Sequence, residues 1–260
     1  MPKAKPLVAI PTYNEAENLG PIVAAVYDAL PETAVLIIDD ASPDGTGRLA
    51  DDLAARYPSL QVLHRPGKQG LGTAYVAGFR YALERDFDCV FEMDADFSHD
   101  PRYLPALLAA TAQADLVIGS RYVPGGRTPD WGLSRRLISG FGNVFARTLL
   151  RLPVRDCTAG FKCYRRCVLE AFDLDAIRLE GYAFQIETVY QSVRKGFRIK
   201  EVPIVFPDRK VGTSKMSKAI VAEAFTYVIR RRLGGAAQGA SRAPSSHAVP
   251  TDERPRNARV

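Results

Sequence analysis

In the stretch FEMDADFSHDP, Asp94, Asp96 and Asp100 close an apolar run that reads as a buried strand. Two acids one residue apart repel each other unless a cation or hydrogen-bond donors offset the charge. A hard divalent ion that also takes phosphate oxygens would do so, which makes Asp94 and Asp96 candidate ligands for Mg²⁺ or Mn²⁺. His99 is a weaker candidate, because Mg²⁺ prefers oxygen and a loop histidine is more often solvated or a local donor. Asp100, like Asp44, Asn14 and Ser98, has a competing role as a helix cap, since such side chains accept the free N–H groups of a first helical turn.

Cations stand in several neighbouring loops. HRPGKQGLG carries Lys68 and GSRY carries Arg121. The planar fork of arginine suits paired, charge-assisted hydrogen bonds to phosphate. PDRKVGTSKMS reads as a polar loop, for which a solvated surface segment is the plain account. GKQGLG is neither GxGxxG nor a Walker loop, which removes simple dinucleotide and ATPase readings.

These residues need elements to hold them together. Short Val/Ile/Leu runs alternate with helical patterns, the rhythm of a parallel sheet covered on both faces. The spacing predicts strands at Leu7 to Pro11, Ala34 to Asp39, Leu60 to His64, Asp88 to Met93 and Leu116 to Gly119. Helices fit between them at Ala16 to Leu30, Thr46 to Tyr57, Gly72 to Arg85 and Pro101 to Ala112. In such sheets ligands bind beyond the carboxyl ends of the strands, so the polar strand ends mark one site.

After Gly119 comes a Gly/Pro-rich loop and then an amphipathic segment from Leu133 to Leu152. There Leu133, Leu137, Ile138, Phe141, Val144, Phe145, Leu149 and Leu150 recur at helical spacing among Arg135, Arg136, Arg147 and Arg151. That is the pattern of a helix lying in a membrane interface; a core-facing helix is the alternative. A helix from Phe184 to Lys195, a strand from Arg198 to Phe206 and a last helix to about Leu233 complete the ordered chain. Residues 234–260, rich in Ala, Gly, Ser, Pro and Arg, are expected to be disordered.

With 260 residues, of which 47% are hydrophobic, the chain can bury a substantial core, and a net charge of +6 favours anionic partners. Nucleic acid is not among them, because no basic stripe interleaved with aromatics and no known module is present. Four cysteines, none in a CxxC pair with a nearby histidine, argue against a disulfide scaffold or structural zinc. Neither a secretory signal nor a stretch of about 18 apolar residues is found, so a cytoplasmic placement is expected.

IPTYNEAENL, IIDDASPDGT, GLGTAYVAGF, MDADFSHDP and GSRYVPGG, in this order, resemble family 2 glycosyltransferases of the GT-A fold, and more narrowly polyprenol or dolichol phosphate mannose synthases. The resemblance covers about residues 6 to 233. It implies a single catalytic domain over 1–233, of α/β class, with a Rossmann-like, mostly parallel central sheet flanked by helices. It implies inverting transfer of mannose from GDP-mannose to a polyprenyl monophosphate, supported by Mg²⁺ or Mn²⁺. Pro11, Tyr13, Glu15 and Asp40 would hold base and ribose, with Asp39 supporting the turn. Asp96 would be the direct metal ligand and Asp94 would sit nearer the ribose and metal waters. Ala95 would touch the nucleotide through its backbone, and Ser98 occupies a nucleotide-binding position. Lys68, Arg209 and Lys215 would reach the diphosphate. Arg121, Arg135 and Ser139 would cradle the acceptor phosphate, with Arg136 able to exchange roles with Arg135. Relatives often continue into membrane-spanning helices, so peripheral contact with the inner face of the cell membrane, or a separate membrane-anchoring protein, is expected. Two rivals remain: a UDP-glucose-dependent polyprenyl phosphate glucosyltransferase, and an inactive, membrane-associated nucleotide-binding protein.

Overall fold

The computed structural model describes residues 4–208 and 218–240. Seven strands form one sheet: β1 (Pro6–Thr12), β2 (Ala34–Asp39), β3 (Leu60–His64), β4 (Cys89–Glu92), β5 (Leu116–Ser120), β6 (Lys162–Arg165) and β7 (Ile199–Pro203). Their spatial order is β3-β2-β1-β4-β6-β5-β7, and all neighbours run parallel except β6, which is antiparallel to both β4 and β5. The order reverses direction between β1 and β4, the position where an open α/β sheet leaves a crevice at its carboxyl edge.

Helices α1 (Ala16–Ala29), α2 (Thr46–Arg56), α3 (Leu71–Glu84), α4 (Leu104–Ala110), α5 (Leu133–Leu150), α6 (Arg166–Ala171), α7 (Gly181–Arg194) and α8 (Lys218–Ala240) complete the fold. Burial of both sheet faces explains the unbroken apolar strands: one core packs α3 and α7 against one face, and a second packs α1 and α4 against the other. The first five strands lie within a residue or two of the expected spans. Strand β6 and α6 were not anticipated, because four residues of mixed polarity, KCYR, give no periodicity to read.

Other boundaries differ for local reasons. The segment expected as one helix from Pro101 starts as a 3₁₀ turn, Pro101–Tyr103, before α4, since Pro105 lies at the α-helical start and cannot donate its own N–H. The strand expected to reach Phe206 ends at Pro203, and Val205 then bridges Arg127. Helix α8 continues past Leu233 to Ala240, so the expectation of disorder from Gly234 does not describe residues 234–240. Residues 241–260 lie outside the described residues.

Helix α5 is divided along its length. Asn143, Ala146 and Leu150 are buried, and Phe145 packs on Phe225 of α8 at a centroid distance of 4.8 Å. Leu133, Leu137, Ile138, Phe141 and Val144 are exposed. The core-facing account therefore holds for one part of the helix, and the other part leaves apolar side chains exposed. No helix of the described residues is long and apolar enough to cross a membrane.

Gly72, on the first turn of α3, is required by close approach: an added Cβ would lie 2.0 Å from the Leu179 carbonyl oxygen. Replacing Gly72→Ala is predicted to destabilise the fold by about 2 kcal/mol, because backbone cannot yield as a side-chain tip does. Gly140→Ala on α5, where an added Cβ meets nothing within 4 Å, should stabilise by about 0.5–1 kcal/mol through helix propensity. Denaturant unfolding of the two variants measures both values.

Candidate active site

The carboxyl ends of β1, β2 and β4 each turn through a left-handed residue that is not glycine: Asn14 (φ 57°), Ala41 (φ 53°) and Phe97 (φ 61°). Such backbone is costly and is kept where loops must be aimed. The three loops open onto a cavity of about 560 Å³. Pro11, Tyr13, Glu15, Asp40, Lys68, Asp94, Ala95, Asp96, Ser98, Arg121 and Arg135 all line it. Ser139 does not, and instead lines an adjoining cavity of about 240 Å³ between α5, α7 and α8 that also includes Arg135. Arg209 and Lys215 lie outside the described residues.

The acids are individually braced. Tyr75 donates its hydroxyl to Asp94 Oδ1 at 3.2 Å, and the Asp94 backbone N–H donates to His99 Nδ1 at 2.9 Å. His99 is thus a buried acceptor stacked on Phe161 and neither solvated nor a donor through Nδ1; burial pushes its pKa down, so the ring stays neutral. Ser98 gives both its N–H and its hydroxyl to Asp96 Oδ1. Its observed role is to orient that carboxylate and not to cap a helix. Asp100 is the cap, accepting Arg102 N–H at 2.9 Å. Asp44 accepts both Thr46 N–H and Ala16 N–H, tying the starts of α1 and α2 together.

The walls of the donor pocket are also fixed. Asp39 accepts from Thr12 Oγ1, Ser42 Oγ and Ser42 N–H, the turn-supporting role expected of it. Asp40 pairs with Arg65 at 2.8 Å and accepts Gln69 N–H; burial raises its pKa against the pull of those partners. Lys68 Nζ sits 4.4 Å over the Tyr13 ring, within cation–π range. Glu15 accepts from Asn18 Nδ2, and its backbone N–H donates to Thr46 Oγ1.

Arg121 departs most from the sequence picture. It is buried and makes a fork to Asp156: Nε reaches Oδ2 at 2.8 Å, Nη2 reaches Oδ1 at 2.6 Å, and its own backbone N–H adds a third bond. Burial alone would lower its pKa, but the Asp156 charge outweighs that and leaves it raised. Asp156 is in turn held by Glu201 of β7, which accepts the N–H groups of Arg155 and Asp156. Arg135 stacks on Trp131 with its guanidinium 4.1 Å from the ring centroid and pairs with Asp208. Arg136 turns away to Thr128 O, which settles which of the two arginines faces the cavity. Asp156, Thr158, Trp131 and Gln185 were not singled out from sequence, since a lone acid in RDCTAG or a lone Trp carries no spacing signal.

Asp94 and Asp96 suit a divalent ion: one carboxylate side chain is 35% exposed, the other is buried, and both face a cavity large enough for a diphosphate. No third ligating side chain joins them among the described residues. That matches Mg²⁺, which usually takes one or two carboxylates and completes its shell with water and substrate phosphates.

A sheet with this switch point, an acid pair at the end of β4 and basic groups facing it define a nucleotide-sugar transferase of the GT-A type. Residues 7–172 match the model for glycosyl transferase family 2, and the chain belongs to that family. It is 52% identical over 233 residues to an undecaprenyl-phosphate mannosyltransferase of Micrococcus luteus, covering 90% of this chain and 96% of that protein. It is 49% identical over 238 residues to a polyprenol monophosphomannose synthase of Mycolicibacterium smegmatis, covering 89% and 90%. Among solved structures, glucosyl-3-phosphoglycerate synthase from Mycobacterium tuberculosis, in complex with Mn²⁺, UDP and its glucosylated product, aligns with a TM-score of 0.65 at 15% identity, over 89% of this chain and 80% of that one. That likeness concerns the fold.

Neutralising Asp156 should show how far the site depends on its fork. Asp156→Asn leaves a buried guanidinium without its counter-charge and is predicted to cost about 3 kcal/mol. Asp51→Asn, which removes an exposed pair with His64, should change stability by less than about 0.5 kcal/mol. Equilibrium unfolding in urea at neutral pH separates these outcomes.

Proposed function

We propose that the protein is an inverting mannosyltransferase that moves mannose from GDP-mannose to a polyprenyl monophosphate. The observation that carries this reading is the junction of two unlike cavities. The polar cavity ends on the acid pair, and it shares Trp131, Arg135, Thr158 and Tyr182 with an apolar cavity lined by Ile138, Phe145, Val221 and Phe225. A charged nucleotide-sugar and an apolar chain bearing a phosphate fit that juxtaposition. The names of the two curated relatives point the same way.

In this reading Pro11, Tyr13, Glu15 and Asp40 hold base and ribose, and Ala95 approaches the nucleotide through its backbone. Asp96, oriented by Ser98, and Asp94, oriented by Tyr75 and His99, would hold Mg²⁺ or Mn²⁺. When bound, that ion supplies charge stabilisation for the departing diphosphate. Lys68, with Arg209 and Lys215, adds positive charge for the same group. The acceptor phosphate is already anionic, so placement matters more than deprotonation, and in this reading Arg121, Arg135 and Ser139 would supply it. Ser139 Oγ accepts Tyr122 OH at 2.8 Å, which leaves its own proton for an acceptor. Arg121, with its fork committed to Asp156, contributes a fixed charge that cannot swing away.

The exposed Leu133, Leu137, Ile138, Phe141 and Val144 adjoin the apolar cavity and face outward beside exposed Arg136. They support peripheral contact with the inner face of the membrane, where a lipid acceptor would be met, either directly or on a separate membrane-anchoring protein.

Asp96→Ala is predicted to abolish mannose transfer to polyprenyl phosphate in a metal-supplemented assay while the thermal transition persists; wild-type turnover in this variant would overturn the site. GDP-mannose with Mg²⁺, at about 100 times its Kd, should stabilise the wild-type protein by about 2.7 kcal/mol. Protection by UDP-glucose and not by GDP-mannose would replace the donor.

A further inference from the structure

The loop after β3, residues 65–70, is closed by its own first side chain. Arg65 is buried, and its backbone N–H donates to Asp39 O at 2.8 Å, carrying the pairing of β3 with β2 past His64. Its guanidinium then turns toward the start of α3, where Nη2 donates to Gln69 Oε1 at 2.9 Å and to Thr73 Oγ1 at 2.6 Å. The Thr73 hydroxyl lies 2.9 Å from Gln69 O, which ties the end of the loop to the first turn of the helix. Lys68 is exposed within this closed loop and rests over the Tyr13 ring.

The same guanidinium meets the end of β2. Nη1 stands 2.8 Å from Asp40 Oδ1, and both side chains are buried. That oxygen accepts no hydrogen bond among the described residues, so the Arg65 charge is what compensates it. The other oxygen accepts Gln69 N–H at 3.2 Å, from the loop that Arg65 closes. Burial raises the pKa of Asp40, and the Gln69 N–H and the charges of Arg65 and Lys68 oppose it. Tyr13, Asp40 and Lys68 line the polar cavity, and Arg65 stands behind them without lining it.

We propose that Arg65 is a positioning residue for the donor: by joining Asp40 to the loop of Lys68 and to the start of α3, it sets the affinity for a nucleoside diphosphate that it does not touch. The inference goes beyond the function proposed above and rests on it for the roles of Asp40 and Lys68. Arginine suits the task because one planar fork reaches several partners in fixed directions, which a lysine ammonium on a flexible stem does not match. The far side of the cavity is independent of this fork, since Arg121 and Arg135 are held by Asp156 and Asp208. Loss of Arg65 should therefore weaken the nucleotide and spare the acceptor.

Calorimetric titration with GDP and Mg²⁺ tests this without requiring sugar transfer. Arg65→Gln should raise the Kd for GDP about tenfold, and Arg65→Lys, which restores the charge without the fork, should raise it less. KM for farnesyl phosphate should stay within about twofold of wild type in both. Should Arg65→Gln fail to fold because it leaves a buried carboxylate uncompensated, Gln69→Ala combined with Thr73→Ala loosens the fork from its other end and keeps the ion pair. That double variant should raise the Kd for GDP about threefold. An unchanged Kd for GDP in either folded variant, with only the unfolding midpoint lowered, would make Arg65 a structural residue and overturn the inference, as would equal weakening of GDP and farnesyl phosphate. If UDP binds in place of GDP and Arg65→Gln weakens it about tenfold, the GDP-mannose reading falls and the positioning role stands.

Discussion

Strand β6 runs against its neighbours, and its register sets Lys162 opposite Glu92 beneath the carboxyl edge of the sheet. Both side chains are fully buried. Burial pushes Glu92 up to about 7 and Lys162 down to about 8, and each is opposed by the charge of the other. Lys162 Nζ donates to Thr188 Oγ1 and to Gln185 O, while Tyr164 OH donates to Glu92 Oε1. These bonds fasten α7 to the middle of the sheet and so fix the floor on which the site is built. Removing either charge would strand the other in a low-dielectric core.

Because β6 is held in that direction, the chain entering it passes the carboxyl edge, and Asp156, Thr158 and Gly160 arrive beside β4 and β5. Asp156 then meets Arg121 at the end of β5, and Thr158 accepts from the same guanidinium at 2.9 Å. Gly160 lies against His99, which supports the backbone of Asp94. One antiparallel strand thus couples the acid pair to the arginine side of the cavity. Strain in the three left-handed loop residues is tolerable because the strands that carry them are paired on both edges.

The electrostatic design separates charges by how firmly each is held. Asp96 and Arg121 are buried and locked by hydrogen bonds, whereas Lys68 rests on an aromatic face from which a stronger partner can draw it. Preorganised groups cost nothing to reorient during reaction. The apolar half of α5 leaves exposed apolar surface beside the second cavity.

From sequence alone, the apolar strand runs and the polar residues at their ends established an α/β sheet with a site at its carboxyl edge, because period and strand-end chemistry are local properties. Asp94, Asp96 and Lys68 were legible as strand-end residues lining the cavity for that reason, while Tyr13 came through the family resemblance. Only the tertiary structure decided that Ser98 orients Asp96, that His99 is buried, that Asp156 claims the Arg121 fork, and that Trp131 joins two cavities. The surroundings of His99 and the Asp156–Arg121 fork depend on β6 entering backwards between strands far away in the chain, and a pairing set by burial of Glu92 against Lys162 leaves no periodic trace in either segment.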